Sequence, residues 1–494
     1  MPTKKLKIVH IAAEVDPFSK SGGLANVARS LPKAHKRLGH DVIVITPFYS
    51  SVINKKKHGI KDFKNDIKVN TTHGKIYEAD YYKGYLMNGL PTYFVGNEKF
   101  FGRKKSLYGS KHENLRFLFF NTATIQLLKE LDFKPDIIHC HDWHTGLIPY
   151  LLKGRFKNDK FFKDSASVFT IHNLVFQLGH NWWTIRSDRR DTGRNILPET
   201  TSHKIENVNF AKRAILNADV INTVSETYRE EILTKSFGQD LNRILKNREK
   251  RVYGIVNGID YGEYDPAVDP GLARRFSDKS IERKKKNKEK LQKHFKLKVD
   301  PNIPIISMTS RVAEQKGFKL LMEIINPLLR SNIQIIIMGD GDKSMISFFK
   351  KLNKEFPKKL TIVPFEQKKE TLLYAGSDIF LLPSRFEPCG INQMIALRYG
   401  CIPVVHHIGG LADTIVNFNP IKKRGNGFTF KKYNSLDLLI SIVRAIETYK
   451  HKDVWDKLVV NGMKDANSWK IPAKKYIDLY KVAAKFKKQN GNKK

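Results

Sequence analysis

Arg311 and Lys316 stand close together in SRVAEQKG, and Glu387 stands in PSRFEPCG (residues 383–390). Each segment follows a run of apolar residues that reads as a strand, so each falls on a loop at a strand's end. A guanidinium and an ammonium in fixed positions stabilise the negative charge that grows on a diphosphate as it leaves a sugar. The Glu387 loop opens a helix whose backbone N–H groups can face an anion, helped by the helix dipole. A glutamate there is placed to accept hydrogen bonds from sugar hydroxyls. Alone, an Arg–Lys pair is more often solvated than functional, and Glu387 would serve as a polar loop residue capped by Pro388 and Gly390. The inferred cleft that the three share gives them weight.

The N-terminal half adds a glycine loop, Lys20-Ser21-Gly22-Gly23, after the first strand. Its lysine precedes the glycines, so it is not a P-loop, and it lacks the three-glycine dinucleotide fingerprint. Cys140-His141-Asp142-Trp143-His144 closes the strand over residues 136–139, and Thr170-Ile171-His172-Asn173 closes that over residues 167–171. Such His/Asp clusters invite a metal reading, but no zinc-like ligand spacing stands out. Hydroxyl recognition is the expected role, with no metal.

The elements that must hold these loops follow from periodicity. Residues 6–14 read as a buried strand, and residues 24–38 as a helix with Leu24, Val27, Ala28, Leu31, Ala34 and Leu38 on one face. Residues 41–47 (DVIVITP) give a second strand, and such Ile/Val runs suit parallel strands covered on both faces. The pattern resumes with strands at 303–309, 333–339, 360–365, 378–383 and 401–406, and helices at 318–329 and 391–399. Two doubly wound α/β halves are expected, joined near Asp260. The strongly charged residues 276–296 read as a solvated helix. Ligands of open α/β sheets bind beyond the carboxyl ends of strands where winding reverses, so two facing sheets would enclose a deep cleft.

Composition sets the outer bounds. At 494 residues, with 41% hydrophobic and 28% charged, the chain suits two large soluble α/β domains. No apolar stretch approaches a membrane span, and the run near the start is broken by His10 and Glu14, a poor signal-peptide core. Cys140, Cys389 and Cys401 have no paired or metal-like spacing, which suits a reducing cytoplasm. Lys and Arg number 88 against 49 Asp and Glu, a net charge of +39. That excess raises nucleic-acid or membrane-surface binding. The lysines are spread end to end, however, without a nucleic-acid motif, so solvated lysine faces are the expectation and a nucleic-acid partner is not.

The motifs together resemble the bacterial glycogen synthase and plant starch synthase family of retaining glucosyltransferases. HIAAEVDPFSKSGGL, CHDWHTGL, TIHN, NTVSETYREEI, GIVNGID, SRVAEQKG, YAGSDIFLLPSRFEPCG, ALRYG and GGLADT run in family order across residues 6–480. The resemblance implies a GT-B α/β fold, two Rossmann-like doubly wound domains facing across a deep cleft. Residues 1–260 would form the acceptor-side domain of starch synthase catalytic type, and residues 261–470 the nucleotide-sugar donor domain. Residues 471–494 would form a helix packing back on the first domain, with a basic tail. The implied reaction moves glucose from ADP-glucose to the non-reducing end of an α-1,4-glucan such as glycogen, with retention and with no metal or other cofactor. The implied setting is cytoplasmic glycogen biosynthesis.

Carried over residue by residue, the family's KxGG lysine is Lys20, its HDWH aspartate Asp142 and its IHN histidine His172. Its SRxxxQKG cations are Arg311 and Lys316, and its EPCG glutamate is Glu387. Those six form the implied working set, with Glu387, His172, Arg311, Lys316 and Asp142 catalytic. Donor binding is expected from Lys20, Gly22, Gly23, Arg311, Lys316, Glu387, Cys389, Gly390, Asn392 and Tyr374. Two departures stand out: Ala25 and Asn26 replace a usual Gly-Asp, and Asn392 replaces a usual threonine.

Three other readings remain open at this stage. A related transferase with another acceptor is disfavoured by the EPCG cysteine and the HDWH block. A catalytically silent glucan-binding protein would show decay among the six charged or polar site residues, all of which are present. A polyanion-binding protein rests on net charge alone, and salt-dependent binding to heparin would favour it.

Overall fold

The apolar runs become the strands of two sheets, one in each of two units. The computed structural model describes residues 5–72, 74–102 and 106–491. One unit is Met1–Ile255 together with Trp469–Lys494, and the other is Val256–Ser468.

In the first unit the strands are β1 (Lys7–Ile11), β2 (Asp41–Pro47), β3 (Lys61–Asn70), β4 (Ile76–Leu86), β5 (Leu90–Gly96), β6 (Ile137–His141), β7 (Ala166–Ile171), β8 (Val220–Thr223) and β9 (Val252–Gly254). They form a nine-stranded sheet in the order β3-β4-β5-β2-β1-β6-β7-β8-β9. All neighbours are parallel except at β4, which runs antiparallel to β3 and β5. Ile8, Val9 and Ile11 of β1 are fully buried, as expected of a strand covered on both faces. The helix α1 (Gly23–Arg37) turns Leu24, Val27, Ala28 and Leu31 inward. Winding reverses between β1 and β6, so the loops leaving those strands border the place where such sheets bind ligands.

The helix Lys470–Gly491 belongs to this unit and closes it over polar as well as apolar groups. The Tyr476 hydroxyl accepts from Asn222 Nδ2 of β8 at 2.9 Å, and the Tyr480 hydroxyl lies 2.8 Å from His139 Nδ1 of β6. Both tyrosines are fully buried.

The second unit holds β10 (Ile305–Thr309), β11 (Gln334–Met338), β12 (Leu360–Val363), β13 (Ile379–Leu382), β14 (Ile402–His406) and β15 (Phe428–Phe430). The order is β12-β11-β10-β13-β14-β15, parallel throughout. Its winding reverses between β10 and β13. The helices used below are α2 (Lys284–His294), α3 (Phe318–Arg330), α4 (Gln367–Gly376) and α5 (Asn392–Arg398). The strands read from sequence are present, most with ends moved by a residue or two; β1 stops at Ile11, three residues short of the expected end.

One segment departs from expectation. The charged stretch over residues 276–296 is helical only as α2 and the short turn before it, and its lysines are not all solvated. Lys284 Nζ donates to the carbonyls of Tyr374 (3.1 Å), Ala375 (2.6 Å) and Ser377 (2.6 Å), at the carboxyl end of α4. Lys288 Nζ meets Asp378 Oδ2 and the Tyr449 hydroxyl, each at 2.7 Å. A helix's last carbonyls lack intrahelical donors and carry partial negative charge, which an ammonium satisfies. Burial pushes the Lys284 ammonium down to about 8. Among the described residues no helix is long and apolar enough to cross a membrane.

Candidate functional site

The first unit gathers its candidates on the loops after β1, β6 and β7. Gly22 caps α1 with an extended backbone, and the loop before it is pinned from beneath by Glu14. That carboxylate is 2% exposed and accepts the Ser21 N–H. Burial raises the Glu14 carboxyl, while the Ser21 and Gly22 N–H groups and the Lys20 charge oppose the rise. Lys20 itself points outward, 4.0 Å from Asp16 Oδ2, which Arg29 holds at 2.5 Å.

Asp142 follows β6 directly and has φ 58° and ψ 175°, a region that only glycine adopts freely and that costs other residues roughly 1–3 kcal/mol. The strain is held by its surroundings. Its N–H donates to Thr170 O (2.9 Å), its carbonyl accepts from Thr145, and its Oδ1 accepts the His172 N–H at 2.7 Å. Burial lifts the Asp142 carboxyl to about 7, against the pull of the His172 and Asn173 N–H groups and with a push from Glu14. A carboxyl poised near neutrality on a strained loop is a usual sign of a working site. His172 is partly exposed, and burial of its ring lowers it to about 3, so it stays neutral. The structure thus brings Gly22, Gly23, Asp142 and His172 to adjoining loops, and Lys20 to their rim.

Behind them, His10, His139 and His141 are fully buried. His10 lies opposite His139 in the parallel β1–β6 register, and His139 and His141 share a face of β6. One nitrogen from each ring falls within 4.8 Å of the others, which makes them a possible metal trio among the described residues. Every ring nitrogen, however, already has a partner: His10 meets His35 and His141, His139 meets Tyr480 and Thr170, and His141 meets His10 and His172. A metal would have to displace these bonds.

The second unit builds its group from the loops after β10 and β13. Lys316 Nζ lies 2.6 Å from Glu387 Oε2, and Ser384 Oγ donates to the same oxygen at 3.0 Å. The side chains of Lys316 and Glu387 are 19% and 12% exposed. The exposed Arg311 reaches Gln315 Oε1 at 3.2 Å. Gln315 in turn joins the two loops: its carbonyl accepts the Arg385 N–H (2.8 Å) and its Nε2 donates to Phe386 O (3.3 Å). The loops touch at Gly317, whose φ is +80° and where a Cβ would lie 2.1 Å from the Pro383 carbonyl, so no larger residue fits.

Not every expected donor contact sits on this surface. Tyr374 is fully buried in α4, edge-on to Phe380, with its hydroxyl toward Glu370; the inward face of α4 makes it a core residue, which corrects the expectation. Asn392 spends an amide proton on Thr309 O at 3.0 Å, tying α5 to the end of β10. Cys389 is 6% exposed, and burial pushes its thiol up to about 12 despite bonding from Asn257. It is a thiol, not a thiolate. Gly390 takes φ +69° at the turn before α5. Asn26, in place of the usual aspartate, leaves its Oδ1 without a hydrogen-bond partner. Glu14, Ser384 and Gln315 were not singled out from sequence, although a carboxylate inside an apolar run signals a paired, buried acid.

Comparisons with known proteins bear on the family and the fold. Residues 7–247 match the starch synthase catalytic domain family and residues 289–458 match glycosyl transferases group 1. The chain is 40% identical to a glycogen synthase of Clostridium perfringens, over 98% of this chain and 99% of that one. It is 40% identical to a glycogen synthase of Geotalea daltonii, over 97% and 99%. The catalytic domain of starch synthase IV from Arabidopsis thaliana, solved bound to ADP and acarbose, superposes with a TM-score of 0.86 at 31% identity, covering 98% of this chain and all of that one. A sucrose-phosphate synthase from Thermosynechococcus elongatus shares the fold, with a TM-score of 0.60 at 15% identity over 96% and 98% of the two chains.

Proposed function

The chain belongs to the glycogen and starch synthase family of glycosyltransferases, with the GT-B fold, and on that premise we propose that its donor is ADP-glucose. It acts as a glycogen synthase, extending an α-1,4-glucan. In the proposed reaction the new glucose is added at the non-reducing end with retention of configuration. The observation that carries the donor reading is the solved starch synthase, similar to this chain across its length, whose ligand is ADP.

The second unit's residues take the charge-bearing part of the proposed reaction. Arg311 and Lys316 balance the charge that develops on the departing diphosphate. Glu387, held by Lys316 and Ser384, accepts from glucose hydroxyls and supports positive character at the sugar's anomeric carbon. Asp142 and His172 offer acceptors to hydroxyls in the first unit, with the Gly22–Gly23 turn pinned by Glu14. No carboxylate is assigned as an obligatory base; a departing phosphate can accept the acceptor's proton. The three cysteines are buried and free, which supports a reducing cytoplasm as the place of action.

Transfer of labelled glucose to a glycogen primer from ADP-glucose and from UDP-glucose, in parallel, tests the donor. A clearly higher kcat/KM with ADP-glucose is expected, and a preference for UDP-glucose would overturn it.

A further inference from the structure

Four histidine rings of the first unit stand in single file. His35 Nδ1 of α1 lies 3.1 Å from His10 Nε2, His10 Nδ1 lies 3.1 Å from His141 Nε2, and His141 Nδ1 lies 3.0 Å from His172 Nε2. The rings of the first three stack, His10 with His35 at 26° and with His141 at 19° between planes. His35, His10 and His141 are fully buried, and His172 alone is partly exposed. Desolvation holds all four well below the usual histidine range. The groups packed around the file keep it neutral as well. His139 stacks on His141 at 4.1 Å and is itself tied to Tyr480 and Thr170, and His40 lies near His35.

A neutral imidazole has one N–H and one lone pair. Each inner ring must therefore donate at one end and accept at the other, so the file has only two self-consistent arrangements. The buried end chooses between them. His35 Nε2 is buried and makes no hydrogen bond within ordinary distance and angle, while the Ala473 backbone carbonyl in the helix Lys470–Gly491 favours a proton on the His35 ring. Nδ1 faces His10, which leaves Nε2 as the nitrogen turned to that carbonyl; a proton there is attracted to it, whereas a lone pair would be repelled. With Nε2–H on His35, its Nδ1 accepts from His10, which then accepts from His141, which accepts from His172. Every ring carries its proton on Nε2.

We propose that His35, His10 and His141 are positioning residues that fix the tautomer of His172, leaving its Nδ1 as a lone pair that accepts a hydrogen bond from a ligand hydroxyl. The inference rests on His172 being a ligand-contacting residue. Which nitrogen of a histidine carries the proton is set by what its other nitrogen meets, and here that setting is passed along three rings from a point remote from the ligand.

The test is a long-range proton–nitrogen correlation spectrum of the full chain labelled with 15N-histidine, with His172 assigned by its loss in His172→Gln. A pyrrole-type Nε2 and pyridine-type Nδ1 at His172 are expected. A pyrrole-type Nδ1, or stoichiometric metal bound to these rings by elemental analysis, would overturn the inference. In the second arm, His35→Leu removes the anchor and His35→Gln restores a donor and an acceptor. The leucine variant should show mixed His172 tautomers and lose about five- to tenfold in kcat with little change in KM, the scale of one hydrogen bond. The glutamine variant should recover most of that loss. A folded His35→Leu protein with wild-type kcat would overturn the functional half of the proposal, and the wild-type spectrum decides the tautomer even if that variant does not fold. Separately, His172→Ala with unaltered kcat/KM would remove the site reading and leave the tautomer result standing.

Discussion

Lys316 and Glu387 form an ion pair at 2.6 Å across the two loops that leave β10 and β13. The cation assigned to the diphosphate and the acid assigned to the sugar are therefore partners before any ligand arrives. Each orients the other, and Gly317 lets their loops approach closely enough for the pair to form.

Arg311→Ala, Lys316→Ala and Glu387→Ala should each lower kcat by about 10² to 10³, the cost of removing one preorganised electrostatic contact. Lys316 and Glu387 should combine with less than additive effect, because residues that act as a unit do not divide its energy. Arg311, which contacts neither, should be closer to independent of the pair. Lys285, exposed on α2, is the control and should be near neutral. Steady-state kinetics on glycogen primer, with folding checked by thermal melting, would decide. Near wild-type kcat/KM in all three site variants would dismiss the assignment.

Activity should survive exhaustive EDTA treatment, since fixed cations rather than a divalent ion are assigned to the diphosphate. The check is kcat before and after chelation. Loss that magnesium or manganese reverses would contradict it.

Asp142 gives a pH prediction with a definite sign. Its carboxyl titrates at about 7 in the fold, against about 3.9 in an unfolded chain. Between those values the native state holds a proton that the unfolded chain has lost. The group's contribution to stability therefore falls as pH rises from about 4 to about 7 and is flat outside that window. Asp142→Asn keeps an acceptor for the His172 N–H and cannot titrate. It should match wild type near pH 4, exceed it by roughly 4 kcal/mol above pH 7, and lose activity. Urea unfolding at the two pH values measures this. A variant with the wild-type slope would show that burial does not hold the proton.

Lys284→Met should destabilise the second unit by about 2–4 kcal/mol, because it strands carbonyls at the end of α4 that only the ammonium satisfies. From the sequence alone Lys284 reads as an inert surface lysine. Unfolding midpoints of Lys284→Met and Lys285→Met, compared side by side, separate the two views.

Cys389→Ser should keep substantial activity. A thiol held at about 12 is a poor nucleophile, so native enzyme should resist iodoacetamide near neutral pH and react only on unfolding. From its place in the motif, labelling that blocks the donor would be expected; burial is why the structure argues otherwise. Rapid labelling of the folded protein at Cys389, read by mass spectrometry, would contradict this.

The loops of the proposed site could be placed from sequence because strand ends in doubly wound sheets carry such loops, and because glycine marks the turns, as at Gly22 and Gly317. Position along the chain was enough to put Arg311, Lys316, Glu387, Asp142 and His172 on loops at or beside strand ends. It was not enough where burial decides. Tyr374 lies in a motif-bearing segment, yet which face of α4 it occupies depends on Phe380 beneath it. Lys284 and Lys285 are adjacent and chemically alike, and only the position of α4's end distinguishes them. The histidine file draws on β1, α1, β6 and the loop after β7, so its parts lie far apart in sequence and no local pattern joins them.

The Tyr480–His139 and Tyr476–Asn222 contacts impose an order on biosynthesis. A ribosome delivers every residue of Val256–Ser468 before it delivers the helix that covers His139 and Asn222. The second unit can therefore be finished while the first still waits with its sheet partly open. His139 and Asn222 pass that interval without their tyrosine hydroxyls, and Ala473, which sets the direction of the histidine file, is missing as well. The nascent first unit is thus exposed to solvent at its histidine core until the helix Lys470–Gly491 emerges, and the file acquires its polarity only after the whole of the second unit has been made.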